Sequence, residues 1–260
     1  MTQIILHGYL GTMGRVIRKL VAQDRNFEIV AGIDAKNTSE ALIFPAYTDF
    51  DECQMTADAI IDFSAANAVM DLLRYGVKMQ TPMVICTTGL SPECKEEIEI
   101  ASEKVAVFRS ANMSLGINLL AKVLGQITGI LEEIGFDIEI LEKHHGKKVD
   151  APSGTALLLA DVLNHDGRYA YITDRTTARV MRSKNEIGIA SIRGGTIVGE
   201  HSVIFAGQDE VLELTHTANS KDVFGVGALK AAAYIKDKPP GLYGMNDMMD
   251  SYVHTHFLQS

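Results

Sequence analysis

The stretch Gly8-Tyr9-Leu10-Gly11-Thr12-Met13-Gly14 decides the fold expected for this chain. It follows the apolar run Ile4–Leu6, which predicts a strand, and it leads into Met13–Ala22, where apolar residues recur at helical spacing. Glycines at such a turn let a pyrophosphate approach the backbone, where the helix N-terminus stabilises it. The spacing G-x-x-G-x-x-G is a variant of the common dinucleotide fingerprint, and the alternative is an ordinary turn between a strand and a helix.

Asp34 supports the nucleotide interpretation. It ends a second predicted strand, Glu28–Ile33, about twenty residues beyond the glycines, where a carboxylate can accept hydrogen bonds from ribose hydroxyls. That carboxylate would repel the 2′-phosphate of NADPH and so favours NADH. Lys36 stands close enough to offer the same phosphate a positive charge, so both cofactors remain candidates.

The rest of the first half repeats this alternation of strands and helices. A regular alternation predicts a parallel sheet with right-handed crossovers. The further predicted strands are Ala59–Phe63, Met83–Cys86 and Val105–Phe108, and the helices are Ala68–Lys78 and Pro92–Glu103.

The pattern changes after Asn112. Three predicted strands follow one another without helices between them, which predicts a mixed sheet and hence a second domain. The predicted elements of this part are the helices Leu115–Glu133, Thr155–Leu163 and Asp222–Ile235 and the strands Phe136–Glu142, Ile187–Arg193, His201–Ala206 and Val211–Thr217. We therefore expect an α/β protein with an N-terminal Rossmann parallel sheet, formed by 1–113 with 225–260, and a second α+β domain with a mixed, open sheet, formed by 114–224.

Composition narrows the possible function classes. A net charge of −9 argues against a nucleic-acid or anionic-membrane surface, because both need a basic face. We also expect no membrane-spanning helix, and the first six residues lack the basic start of a signal peptide, which favours the cytoplasm. Cys53, Cys86 and Cys94 form no Cys-x-x-Cys pair, so neither a disulfide framework nor a zinc site is expected.

The most informative stretch for chemistry is Glu142-Lys143-His144-His145-Gly146-Lys147-Lys148-Val149-Asp150-Ala151-Pro152-Ser153-Gly154-Thr155-Ala156. An imidazole can act as a general acid near neutral pH, and a lysine supplies a positive charge or a second proton donor. The start of the following helix can hold a carboxylate. The pattern thus suits an anionic substrate that must be protonated. The alternative is a solvated loop with surface lysines.

This run resembles the pattern E-x-H-H-x-x-K-x-D-A-P-S-G-T-A of the 4-hydroxy-tetrahydrodipicolinate reductase family, long called dihydrodipicolinate reductase, and it matches without a gap. The resemblance extends over essentially the whole chain. The other matching segments are Gly8–Gly14, Asp62–Ser64, Thr87–Gly89, Asn112–Asn118, Arg193–Gly195 with Gly199–His201, and Gly241–Tyr243. Residues that depart from the usual family pattern are Thr12, Cys86, Met113 and Lys221.

The resemblance implies an enzyme of lysine and diaminopimelate biosynthesis that transfers a hydride from NADH or NADPH to a cyclic imine dicarboxylate. It implies that His144 is the proton donor, assisted by Lys148. Such family members are typically homotetramers. The implied substrate-binding residues are His145, Lys148, Gly154 and Thr155. The implied cofactor-binding residues are Gly8, Tyr9, Leu10, Gly11, Thr12, Met13, Asp34, Cys86, Thr87, Thr88, Ser110, Ala111, Asn112 and Met113.

Two alternatives accompany this hypothesis. A different Rossmann oxidoreductase, such as a semialdehyde dehydrogenase, would leave the unbroken run from His144 to Thr155 unexplained. A nucleotide-sensing homologue without catalytic activity would be expected to have lost His144 or Lys148, and both are present.

Overall fold

The computed structural model describes residues 1–36, 38–176 and 180–257. The chain divides into two compact units, Met1–Leu115 with Lys221–Ser260 and Gly116–Ser220. Residues 258–260, which the sequence analysis assigned to the first domain, and 177–179, assigned to the second, lie outside the described residues.

The first unit contains a seven-stranded parallel sheet with the order β12-β6-β5-β4-β1-β2-β3. Its strands are β1 (Thr2–His7), β2 (Phe27–Ile33), β3 (Ala46–Tyr47), β4 (Ala59–Asp62), β5 (Met83–Ile85), β6 (Ala106–Arg109) and β12 (Gly241–Tyr243). Its helices are α1 (Thr12–Val21), α2 (Val69–Met79), α3 (Pro92–Ser102), α6 (Asp222–Ile235) and α7 (Met245–Phe257).

Both faces of this sheet are buried, as a parallel sheet requires. Ile4 and Leu6 of β1 pack in a core with residues of α1, α6 and α7. Ile5, which points to the other face, packs in a core with residues of α2 and α3. Successive apolar residues of one strand therefore serve two different helix layers, which explains why the strand is an unbroken apolar run.

The second unit contains a five-stranded mixed sheet with the order β11-β10-β7-β9-β8. Strand β10 runs antiparallel to both β7 and β11, whereas β7, β9 and β8 run parallel. The strands are β7 (Asp137–His144), β8 (Ala170–Ile172), β9 (Glu186–Arg193), β10 (Gly199–Ala206) and β11 (Val211–Ala218). The helices are α4 (Leu115–Glu133) and α5 (Gly154–Leu163), which cover one face of the sheet.

The buried row of side chains on strand β7 begins in the core of the second unit and ends in a polar cluster. Its side chains alternate, so that Ile138, Ile140, Glu142 and His144 are all buried. The two isoleucines pack against α4 and α5. The next two positions on the same row are a carboxylate and an imidazole. The period of the strand thus places two ionisable groups where a core residue would otherwise stand.

The expected fold class is confirmed, including the parallel first sheet and the mixed second sheet. The sequence analysis did not predict the strands β3, β8 and β12 or the helix α7. The three strands have only two or three residues each, too few to show a period.

Helix α4 bears on the expectation that the chain has no membrane-spanning helix. By length and composition alone it is long and apolar enough to cross a membrane. Its Leu124 is fully buried in the core of the second unit. The helix therefore serves that core in the structure.

Candidate active site

The glycine loop of the first unit has the geometry of a dinucleotide turn. Gly8 has a φ of 81°, and a Cβ on it would lie 2.5 Å from the carbonyl oxygen of Phe63. A Cβ on Gly14 would lie 2.3 Å from the carbonyl oxygen of Gly8. Helix α1 then begins at Thr12 after Gly11, which has no side chain to cap it. The N–H groups of that first turn suit an anion.

Asp34 lies beside this loop. Its Oδ2 accepts a hydrogen bond from the backbone N–H of Leu10 at 3.1 Å, and its Oδ1 accepts one from Lys36 N–H at 3.2 Å. Each carboxylate oxygen has a second lone pair, so the group retains capacity for ribose hydroxyls. The acidic residue and the glycine turn, 24 positions apart in the chain, are therefore joined directly in the fold.

A cavity of about 450 Å³ opens where strands β1, β4, β5 and β6 of the first sheet end. Seven of the predicted cofactor-binding residues line it, namely Thr12, Met13, Cys86, Thr87, Thr88, Ala111 and Met113. The sequence analysis had not assigned four other lining residues to the cofactor, namely Phe63, Ser64, Lys221 and Phe224. Ligands of open α/β sheets bind at such strand ends.

The remaining predicted residues of this region have other positions. Ser110 and Asn112 form a turn in which the Ser110 hydroxyl donates to the Asn112 carbonyl at 2.8 Å. Gly8 to Gly11 and Asp34 belong to the loop described above and do not line the cavity. A larger cavity, about 620 Å³, lies between α1 and residues 40–44, but it contains none of the predicted residues, so we place the candidate site at the strand ends.

The second unit holds the ionisable cluster, which is built around Glu142. This carboxylate is fully buried. Arg193 donates to it twice, from Nη2 to Oε1 at 2.6 Å and from Nη1 to Oε2 at 2.8 Å. His144 Nδ1 lies 2.6 Å from Oε2, and Ser153 N–H donates to Oε1 at 3.1 Å. One buried anion therefore joins two strands and the start of α5.

These contacts keep Glu142 ionised. Burial alone would raise the pKa of its carboxyl group, but the hydrogen bonds outweigh it and lower the pKa to about 2. The hydrogen-bond donors are Arg193, Ser191, His144 and the backbone N–H of Ser153.

An ionised Glu142 also fixes the tautomer of His144. A carboxylate can only accept, so Nδ1 of His144 must carry the proton in their shared hydrogen bond. The other nitrogen, Nε2, points towards β10, where a Cβ on Gly199 would come within 3.1 Å of it. His144 thus has Nε2 directed away from the carboxylate that holds its Nδ1.

Lys148 and His145 lie in the turn that follows β7. Lys148 Nζ forms an ion pair with Asp150 Oδ1 at 2.9 Å. The side chain of Lys148 is 22% exposed and that of Asp150 is 59% exposed, so the pair is accessible to solvent. His145 Nδ1 is buried and has no hydrogen-bond partner within the described residues. Both side chains are therefore suited to bind an incoming anion.

The two predicted carboxylate-binding residues of α5 occupy its first turn. Ser153 is the N-cap of this helix, and its Oγ accepts a hydrogen bond from Ala156 N–H at 3.2 Å. Gly154 and Thr155 follow it directly. The dipole of a helix start stabilises a carboxylate there. The cap in turn is tied to Glu142 through the Ser153 amide.

The sequence analysis assigned no role to three residues that build this cluster, namely Glu142, Arg193 and His201, whereas it placed Ser153 at the helix start that can hold a carboxylate. The alternating pattern of β7 was the available signal, because it places Glu142 on the same buried row as Ile138 and Ile140. The pairing of β7 with β9 and β10, which brings in Arg193 and His201, has no local signal.

Metal ligation has no basis in the described residues. Within 1–36, 38–176 and 180–257, no group of three His, Cys, Asp or Glu side chains could hold a metal ion. Cys53, Cys86 and Cys94 are buried free thiols. Burial raises the pKa of the Cys86 thiol well above its ordinary value, so it stays protonated beside the cavity.

Comparisons with known proteins give one consistent result. Family models described as dihydrodipicolinate reductase, N-terminus and C-terminus, match residues 2–113 and 116–249. A 4-hydroxy-tetrahydrodipicolinate reductase of Caldanaerobacter subterraneus subsp. tengcongensis is 50% identical over 251 residues, covering 96% of this chain and 98% of the relative. One from Clostridium novyi is 48% identical over 252 residues, covering 96% and 99%.

A solved structure supports the fold. The dipicolinate-bound dihydrodipicolinate reductase from Paenisporosarcina sp. TG-14 superimposes with a TM-score of 0.79. The match covers 95% of this chain and 99% of that one at 23% sequence identity.

The state of Glu142 predicts how stability depends on pH. Its pKa is about 2 in the folded chain and 4.5 ordinarily, so its contribution is present above about pH 5 and is lost as pH falls towards 2. The shift corresponds to a loss on the order of 3 kcal/mol. Over this pH range we expect the free energy of unfolding, measured with urea, to fall less in Glu142→Gln than in wild type, by about this amount. The exposed Glu210→Gln is the matched control, and parallel pH profiles for Glu142→Gln and wild type would contradict the assignment.

Proposed function

This chain belongs to the dihydrodipicolinate reductase family and is an NAD(P)H-dependent reductase of 4-hydroxy-tetrahydrodipicolinate in lysine and diaminopimelate biosynthesis, and we propose that His144 supplies the proton in this reaction. When bound, the nicotinamide would supply a hydride to the conjugated imine ring that is left after the 4-hydroxyl group departs as water. A proton then reaches the neighbouring carbon to complete the reduction. The chain itself must hold the dicarboxylate, orient it and deliver that proton.

The contact that carries the proposal is the 2.6 Å hydrogen bond between His144 Nδ1 and Glu142. It leaves Nε2 to carry the transferred proton, because Nδ1 is engaged by the carboxylate. Arg193 holds both oxygens of the carboxylate, so the imidazole cannot turn without breaking a buried network. The geometry therefore suits a general acid held in one orientation.

The substrate carboxylates have two complementary partners in the second unit. Lys148 and His145 supply positive charge and an imidazole N–H. The start of α5 at Gly154 and Thr155 supplies a helix dipole. Lys148 also lies close enough in sequence to assist His144. A dicarboxylate would replace Asp150 as the partner of Lys148, which exchanges one exposed ion pair for another.

The first unit is the proposed cofactor domain. The residues of the glycine loop would hold the pyrophosphate, Asp34 the adenosine ribose and the cavity lined by Cys86, Thr87 and Met113 the nicotinamide half. Asp34 favours NADH over NADPH, and Lys36 works in the opposite direction. The ratio of the two activities would therefore depend on two residues that lie two positions apart just after β2.

The family resemblance supports a proposal for assembly and location. We propose a cytoplasmic homotetramer that binds neither nucleic acid nor membrane. The negative net charge supports the last point. The exposed apolar side chains of Ile192 on β9 and Leu212 on β11 support contacts between subunits.

The activity is tested directly by following NADH and NADPH oxidation through absorbance. The substrate is made freshly from pyruvate and aspartate semialdehyde with the preceding synthase. We expect fast oxidation only when the synthase is present, and the same mixture without the synthase is the control. A folded protein that binds nucleotide but oxidises neither cofactor would favour the nucleotide-sensing alternative.

Replacing the proton donor should slow the chemical step. We expect His144→Gln to lower kcat by roughly 10²-fold, the ordinary loss for a general acid, with unchanged affinity for NADH. Steady-state kinetics and fluorescence titration measure the two quantities. The exposed His165→Gln in the same unit is the matched control. Wild-type turnover by His144→Gln would exclude the proposed role.

Asp34 is expected to discriminate between the two cofactors. In Asp34→Ala we expect the dissociation constant for NADH to rise by more than that for NADPH, because the ribose acceptor is lost while the repulsion of the 2′-phosphate disappears. Fluorescence titration measures both constants, and the exposed Asp237→Ala is the control. Equal losses for the two cofactors would argue against a ribose contact.

A further inference from the structure

His201 is a buried imidazole that the proposed chemistry does not use. It is 4% exposed and lies on the core face of β10, in the row that continues with Val203 and Phe205. Its pairing partner on the neighbouring strand β7 is Glu142. Its ring meets that of His144 edge to face, with the centroids 5.1 Å apart. A second histidine thus stands directly against the proton donor.

His201 is hydrogen-bonded to the N-cap of α5. His201 Nε2 lies 3.0 Å from Ser153 Oγ, which also accepts the N–H of Ala156. The Ser153 hydroxyl can donate its one proton to Nε2. In that arrangement Nε2 is unprotonated, and the proton of the neutral ring resides on Nδ1.

The surroundings keep this ring neutral. Burial, most of all, and the nearby His144 lower the pKa of His201 to about 4, although Glu142 acts in the opposite direction. His216, its pairing partner on β11, and Lys148 contribute to the same lowering. At neutral pH the ring is therefore uncharged, and one of its two nitrogens can accept a hydrogen bond.

Ser153 transmits this contact to the start of α5. Its N–H donates to Glu142, and its hydroxyl caps the helix through Ala156. We propose that His201 is a positioning residue, which accepts the hydroxyl proton of Ser153 and thereby fixes the first turn of α5, where the substrate carboxylate binds, relative to His144. This inference rests on the proposed function. It concerns substrate binding, because His144 is held by Glu142, whose carboxylate Arg193 holds in turn.

The test compares two substitutions of His201. His201→Leu removes the acceptor, whereas His201→Gln retains one, since the Gln Oε1 stands in for Nε2. For His201→Leu we expect the dissociation constant for pyridine-2,6-dicarboxylate, and the KM of the substrate, to rise about tenfold, the equivalent of one lost hydrogen bond. We expect kcat and the affinity for NADH to stay within about twofold. His201→Gln should bind the dicarboxylate within about threefold of wild type, and His165→Leu is the control.

The wild-type protein supplies an independent measurement. We expect the ¹⁵N NMR signals of His201 to show the neutral Nδ1–H tautomer throughout pH 5 to 8, about the range in which an ordinary histidine titrates. A protonated Nε2 at neutral pH would overturn the proposal even if His201→Leu did not fold. Unchanged dicarboxylate binding in His201→Leu, or equal losses in His201→Gln and His201→Leu, would do the same.

These outcomes are distinct from a failure of the proposed function. Wild-type protein that neither binds the dicarboxylate nor oxidises NADH or NADPH would refute the reductase activity and with it the role of His201. An active wild type with an unaffected His201→Leu would refute the role of His201 alone.

Discussion

The buried carboxylate of Glu142 is the constraint on which the second unit's site depends. It has no exposed surface and takes hydrogen bonds from β9, from β7 and from the start of α5. A buried ion pair contributes little net stability compared with apolar packing, yet removing one partner costs about 3 to 5 kcal/mol. The cluster is therefore costly to disturb. The cluster holds an imidazole and a helix cap in one arrangement.

The sheet's core face supplies the rigidity of that arrangement. Along β7 the buried row runs from Ile138 and Ile140 to Glu142 and His144 without a change of conformation. Along β10 it runs from Phe205 and Val203 to His201. The side chains of the cluster thus stand on strands whose other ends are packed under α4 and α5. Sites on such elements hold their geometry better than sites on loops. Lys148, by contrast, lies on the turn and faces solvent, where it can exchange Asp150 for a substrate carboxylate.

Sequence reasoning succeeded where the signal was local. The glycine spacing after β1, the periods of β7 and β10 and the unbroken run from Glu142 to Ala156 all lie within short windows, so they could be interpreted without the fold. The short strands β3, β8 and β12 depend on neighbours that are distant in sequence, and no period reveals them. Helix α4 shows another limit of sequence reasoning. Its composition also fits a membrane span, and its packing in the structure assigns it to a core.

The residues of the candidate site also fall into those that the sequence could indicate and those that it could not. The sequence identified His144, Lys148 and the start of α5, because they lie in one continuous run. It could not show that Glu142 faces inward with Arg193 beside it, or that His201 reaches Ser153, since 51 and 48 residues separate the members of those pairs. Polar side chains on a strand are usually placed towards solvent. Here Glu142, His144 and His201 occupy core positions, because Glu142 and His144 hydrogen-bond to each other and His201 hydrogen-bonds to Ser153. Partners that are distant in sequence, Arg193 for Glu142 and Ser153 for His201, thus decide the burial of these polar residues. Glu142 in turn fixes which nitrogen of His144 faces away from the carboxylate.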